Sequence, residues 1–198
     1  MIYHLILLSI FIFPSNASDT FEETYYFDVV WNNDKVIGSL KASRTAIDSR
    51  TYYQSATTIN TRIITNIRVN YKYDVVFNNK HLEMADVNIT VNKKSHAQTN
   101  TQWTGTNYHI VKNDKKYDDF KKFITYSTIQ LYFEEPLDVK SCYSEQEGDF
   151  DTIIALGNHT YNKVNAKGHK NIYFYKAGRL EKATIDGGII KFNIVARN

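Results

Sequence analysis

Arg62-Ile-Ile-Thr-Asn-Ile-Arg-Val-Asn-Tyr-Lys-Tyr-Asp-Val-Val-Phe77 decides the fold. Ile63, Thr65, Ile67, Val69, Tyr71, Tyr73, Val75 and Phe77 share one phase, and only Thr65 among them is neither apolar nor aromatic. Arg62, Asn66, Arg68, Asn70, Lys72 and Asp74 fill the other phase. A period of two with one face apolar and one solvated is the mark of a half-buried strand. At about 3.3 Å per residue such a strand would run roughly 50 Å, longer than most, so it is expected to bend or carry a bulge, as in curved sheets and barrels.

Working outward, the same alternation recurs on both sides. Tyr25, Phe27, Val29 and Trp31 precede an Asn32-Asn33-Asp34 turn. Val36 to Arg44 and Tyr52 to Asn60 read as the next strands. Asn78-Asn79-Lys80 turns the chain into 81–91, Asn92-Lys93 into 94–103, and Thr104 to Asn107 into a short strand over 108–111. Lys112 to Asp119 reads as a solvated connection, and Cys142 to Phe150 as an acidic strap or edge strand. Strands are expected again over 152–156 and 159–164, and three close the chain over 171–176, 179–186 and 189–196. Phe77 to Val87 echoes Tyr175 to Ile185, with Leu82, Glu83 and Ala85 matching Leu180, Glu181 and Ala183. Recurring hairpin chemistry accounts for that echo.

One stretch breaks the strand pattern. In Tyr126 to Pro136, Ser127 followed by Gln130 fits a capping box, and Tyr126 with Leu131 fits a hydrophobic staple. Pro136 disfavours helix beyond Glu135. The expectation is a two-turn helix over about 127–134. The fold class expected is therefore all-β: ten to twelve antiparallel strands in a strongly curved sheet or barrel, with this helix plugging an end.

Composition sets the outer limits. The chain has 198 residues, enough for one domain with a sizeable core. Fifteen Tyr and eleven Phe against two Pro suit a β-rich protein. The net charge of +3 is spread along the chain, without the clustered Lys and Arg of a nucleic-acid footprint. Leu5 to Phe13 is apolar but too short to span a bilayer, and Ser15 and Ala17 occupy small-residue cleavage positions. Residues 1–17 thus read as a signal peptide, despite lacking Lys or Arg near Met1, and 18–198 as a single barrel-like domain in the periplasm or outside the cell, with no membrane span after cleavage. Cys142 is the only cysteine, so no internal disulfide can form.

The order of several weak motifs carries a resemblance. Val36-Ile37-Gly38, the strand into Asn78-Asn79, Trp103 to Tyr108, and Tyr126-Ser127 through Leu131-Tyr132-Phe133 to Pro136 are followed by Tyr143-Ser144-Glu145 and by Tyr175, Gly178 and Leu180. This pattern resembles the exported bacterial family called domain of unknown function 6134, found mainly in Bacteroidota, and is distantly similar to domain of unknown function 3108. The resemblance implies a periplasmic or cell-surface curved β-sheet or barrel and carries over no catalytic residue. Asn79 and Lys93 stand where turn glycines are expected, and Cys142-Tyr143 where a Phe is expected.

Candidate chemistry is sparse. Cys142, His159 and Asp151 could be arranged as a thiol triad, but Glu145 and Glu147 nearby would raise the thiol pKa, and an inert cysteine is the simpler reading. His81, His96, His159 and His169 lack the tight spacing of zinc sites, so no metal or other cofactor is expected. Glu134-Glu135 reads as a solvated cap region. Trp103, Tyr108, Tyr126, Tyr132 and Phe133 are the candidate ligand-binding residues, because such rings combine an apolar body with a polar tip. Three readings follow. The first is a non-catalytic exported protein holding an amphipathic or lipid-like ligand in its concave face. The second is a filled barrel acting as a structural module or binding an envelope protein. The third is an enzyme acting on cell-envelope carbohydrate or lipid. A cavity of roughly 300 Å³ or more against the odd-numbered face of 63–77 would favour the first, and a packed face the second.

Overall fold

The alternating patterns settle into one antiparallel sheet. The structure is a computed structural model and describes residues 20–31, 35–62, 66–187 and 190–197. The expected leader over 1–17, the turn at 32–34 and Ile63 and Thr65 lie outside these residues. The first half comprises β1 (Thr20–Trp31), β2 (Lys35–Ile47), β3 (Arg50–Arg62), β4 (Asn66–Asn78), β5 (His81–Val91), β6 (Lys94–Trp103), β7 (Tyr108–Lys112) and β8 (Lys115–Phe120). A 3-10 turn over Thr128–Tyr132 follows. The second half comprises β9 (Ser141–Ser144), β10 (Asp149–Gly157), β11 (Thr160–Val164), β12 (Lys170–Lys176), β13 (Arg179–Asp186) and β14 (Lys191–Ala196). From edge to edge the order is β8 back to β1, then β14 back to β9.

The strand expected over 62–77 is β4, and it is shorter. The β3–β4 ladder ends at the pair Arg62↔Asn66. Val69, Tyr71, Val75 and Phe77 are buried and Ile67 and Tyr73 partly so, as the alternation requires. Lys112 to Asp119, expected as a connection, forms much of the β7–β8 hairpin around Asn113 and Asp114, both at positive φ. Charge had outweighed turn chemistry in that reading.

All-β architecture in one antiparallel sheet is present as expected, without the barrel closure or the strong curvature. The physical reason lies in the connector over 121–140. The Tyr143 amide on edge strand β9 donates to the Tyr126 carbonyl at 2.9 Å, and the Leu82 amide donates to Ile124 at 2.8 Å. The connector thus lies along β9, the edge that β8 would have to pair with to close the sheet. Bending is distributed over local register shifts, including those at Val29/Val30, Val76/Phe77 and Phe174/Tyr175. Gly38 lets β2 approach β3 closely: a Cβ there would lie 2.0 Å from the Thr58 carbonyl oxygen.

The expected two-turn helix is a single 3-10 turn of five residues. Thr128, Ile129 and Tyr132 are poor helix formers and the segment is short, so packing rather than propensity holds it. Half of the capping box is clear: Gln130 Oε1 accepts from the Ser127 amide at 2.8 Å. Ile129, Gln130 and Leu131 are buried against the sheet. Side chains from distant strands meet over the same face. The Tyr71 hydroxyl donates to the Gly187 carbonyl at 3.2 Å, and the Thr101 and Tyr143 hydroxyls lie 2.7 Å apart.

Candidate functional site

The 3-10 turn leaves terminal backbone groups that need partners. Two come from the second half of the chain. The Ile129 amide donates to Glu145 Oε1 at 3.1 Å, and the Tyr175 hydroxyl donates to the Leu131 carbonyl at 2.7 Å. Glu145 directly follows β9 and is fully buried. Its Oε2 and the Ser127 hydroxyl each lack a hydrogen bond of ordinary geometry among the described residues. Burial pushes this carboxyl above its ordinary pKa, against the pull of the Ser127 hydroxyl, the Ile129 amide and Lys163.

Lys163 points inward because it is in phase with Tyr161 on β11. Its ammonium pairs with Asp151, which lies across β10 from Cys142 on β9. Both partners are almost wholly removed from water. Burial works to discharge Lys163, but its anionic neighbours Asp151 and Glu145 outweigh it, and the lysine stays protonated.

These groups wall two adjoining hollows. One, of about 80 Å³, is bounded by Leu40, Tyr73, Tyr132, Glu145, Lys163 and Phe192 among others. The second, of about 100 Å³, shares Ser144, Gln146, Lys163, Asn171 and Asp186 with it and reaches Asp151 and His169. Their polar walls are held in place. The Tyr73 hydroxyl donates to Gln146 Oε1 at 3.0 Å, and Asn171 Oδ1 accepts from the Asp186 amide at 2.8 Å. Asp186 lies 3.4 Å from the Lys191 ammonium. Burial drives the phenols of Tyr73, Tyr132 and Tyr173 well above the usual range, so they stay neutral. A neutral hydroxyl both donates and accepts, and an unpartnered carboxylate oxygen accepts. The arrangement can hold a small polar molecule.

The five aromatic residues singled out in the sequence do not form one site. Trp103 and Tyr108 stack at 4.9 Å between ring centres, with Phe123 and His81 against Trp103. Tyr108 is structural: its hydroxyl donates to the Leu82 carbonyl and accepts from the Ile124 amide. Tyr126 packs against the core, its hydroxyl 3.4 Å from the Glu134 carbonyl. Phe133 packs on Tyr25, Tyr53 and the Arg44 guanidinium. Only Tyr132 lines the hollow beside Glu145.

The imagined triad is not assembled. Cys142 is buried, its thiol pushed up to about 12 by burial, and Asp151 is taken by Lys163. His159 is exposed and bonds Glu135 at 2.9 Å, with the Tyr161 hydroxyl on the same carboxylate at 2.6 Å. Burial would raise the Glu135 pKa, but Tyr161 and His159 together hold it below the ordinary value. No group of three His, Cys, Asp or Glu placed to hold a metal occurs among the described residues.

Sequence reasoning missed Glu145, Asp151 with Lys163, Asn171 and Asp186 as a group. One signal was there: Lys163 and Asp151 sit at inward positions, in phase with Tyr161 and Ile153. The convergence of β9, β11 and β13 on the connector was not there.

Residues 27–197 match the model of one family, described as Domain of unknown function (DUF6134). No curated protein and no solved structure matches the chain.

Proposed function

The chain belongs to the DUF6134 family, and from that membership we propose that it is an exported, non-catalytic binding protein whose site is the cleft between the 3-10 turn and β9, β11 and β12. The observation that carries this reading is Glu145, fully buried with one carboxylate oxygen unpartnered beside a polar cavity. An unsatisfied buried carboxylate oxygen costs free energy unless something completes it. A ligand or ordered water would do so. The ligand is small and polar rather than lipid-like. The space against β4 is about 80 Å³ where a drug-sized ligand takes about 300 Å³ or more, and the odd-numbered face of β4 is filled.

Export rests on the sequence of residues 5–17. The enzyme reading loses support because Cys142, His159 and Asp151 are engaged elsewhere. A second reading, an interaction module, draws on β8, which among the described residues pairs with β7 alone. Native mass spectrometry on protein purified from its own host's envelope tests the proposal. A reproducible extra mass of small-molecule size, released on denaturation, supports it. A bare chain, or a chain recovered from the cytoplasm with its leader intact, overturns it.

A further inference from the structure

The chemistry of the cleft narrows its ligand, on the premise that the cleft is a binding site. Charge comes first. Lys163 is already neutralised by Asp151, and Glu145 and Asp186 stand on the other side. An anionic ligand would face three carboxyl groups. A cationic one would sit beside a buried ammonium. Burial favours the neutral form of Glu145 and Lys191 pairs with Asp186, so a ligand charge of either sign would find no unpaired counter-charge in a site largely removed from water, a severe penalty. A neutral molecule avoids both.

Hydrogen bonding comes second. The walls offer an acceptor at Glu145 Oε2, N–H donors on Lys163 beyond the one given to Asp151, and phenol and amide groups of both kinds. Closely spaced donors and acceptors suit a ligand whose own groups do both, and hydroxyls do. Shape comes third. The hollow is walled on its less polar side by Leu40, Tyr71, Phe192 and Ile194, flat and aliphatic surfaces on which the C–H faces of a ring can lie. Size comes last. A cavity of about 150 Å³ holds benzene. Each hollow alone is smaller and the two share five lining residues, so the ligand is at most one six-membered ring.

We propose that the cleft binds a single ring of a neutral polyol, one sugar or cyclitol unit, with Glu145 accepting from one hydroxyl, Lys163 donating to a neighbouring one, and Tyr132 closing over the ring. No bond is made or broken.

Isothermal titration of the purified protein tests this, with D-glucose, D-galactose, D-mannose and myo-inositol as titrants, and acetate, glycine and ethylammonium as charged controls. The expected result is one-to-one binding of at least one polyol with Kd below about 1 mM. Glu145→Gln should weaken that polyol at least tenfold. Tyr132→Ala, which removes the ring that closes over the ligand, should weaken it at least tenfold, and Tyr132→Phe, which keeps that ring, should hold binding and the thermal midpoint. Binding of a charged control without any polyol overturns the ligand class and leaves the binding-protein reading standing. A polyol that binds equally to wild type, Glu145→Gln and Tyr132→Ala overturns the location. If no titrant binds and the host-purified chain is bare, both the class and the reading fall.

Discussion

The Asp151–Lys163 pair shows how far a single contact can reach. A buried ion pair owes its stability to mutual compensation, so removing one partner is worse than removing both. Asp151→Asn should lower stability by about 3–5 kcal/mol, because the Lys163 ammonium stays buried without its anion. Replacing both, as Asp151→Leu with Lys163→Met, should recover most of that loss. Urea unfolding of the three proteins reads it directly, and equal losses in the single and double variants would contradict it. Glu145 makes a separate prediction through pH. Its folded pKa is raised by burial above the unfolded value, so its contribution is full below the unfolded pKa and is lost as pH rises through the folded one. Glu145→Gln keeps an oxygen for the Ile129 amide and removes the titration. Wild type should therefore lose stability relative to the variant as pH rises above about 4.3, measured by thermal midpoints across a pH series. Little of this was legible from local sequence. The inward phase of Lys163 beside Tyr161 is written in β11, but its partner is not until β9 and β10 are placed beside it, and Glu145 reads as part of an acidic strap or edge strand. Tyr132 could be singled out because an aromatic beside a turn is a local signal.

At the scale of elements the strands were legible because each writes its own period, and the hairpin turns because each writes its own residues. The echo between Phe77–Val87 and Tyr175–Ile185 is an example. Both segments carry a register shift just before a two-residue turn at positive φ, Asn79-Lys80 in one and Ala177-Gly178 in the other. Their geometry agrees although their turn residues differ. The 3-10 turn was only half legible: its cap and its end were written locally, but its length was set by what it packs against. Such turns also expose a weakness. Lys80 and Lys93 hold φ of 66° and 68°, where a side chain is strained and glycine is not. Lys93 is exposed, so its side chain offers little in return. Lys93→Gly should stabilise the β5–β6 hairpin by about 0.5–1 kcal/mol, after glycine's greater freedom in the unfolded chain offsets part of the relief. A rise of about 1–4 °C in thermal midpoint is the expected reading. A fall would mean that the turn's shape is fixed by its strands at no cost.

At the scale of the whole molecule the open question is why an unclosed sheet of fourteen strands should behave as one body. Among the described residues its halves share a strand ladder only between β1 and β14. What ties them elsewhere is packing over the shared face. The ring of Phe120 on β8 lies 5.5 Å from that of Phe150 on β10, Tyr143 reaches Thr101, and the connector bonds both β5 and β9. If these contacts dominate, neither half can open while the other stays folded, because opening would strand the buried Glu145, Asp151 and Lys163 and the apolar face of β4 in water. The chain supplies a reporter for each half. Trp31 and Trp103 both belong to the first, and Cys142, the single cysteine, is buried in β9 of the second. A thiol held up to about 12 and shielded from solvent reacts only when its strand opens. In a urea series the midpoint of thiol labelling should therefore coincide with the midpoint of tryptophan fluorescence. Labelling that leads fluorescence by more than the experimental width would show that β9–β14 opens by itself. The cleft, which the connector and both halves wall, would then be a site assembled by docking rather than one built into the fold.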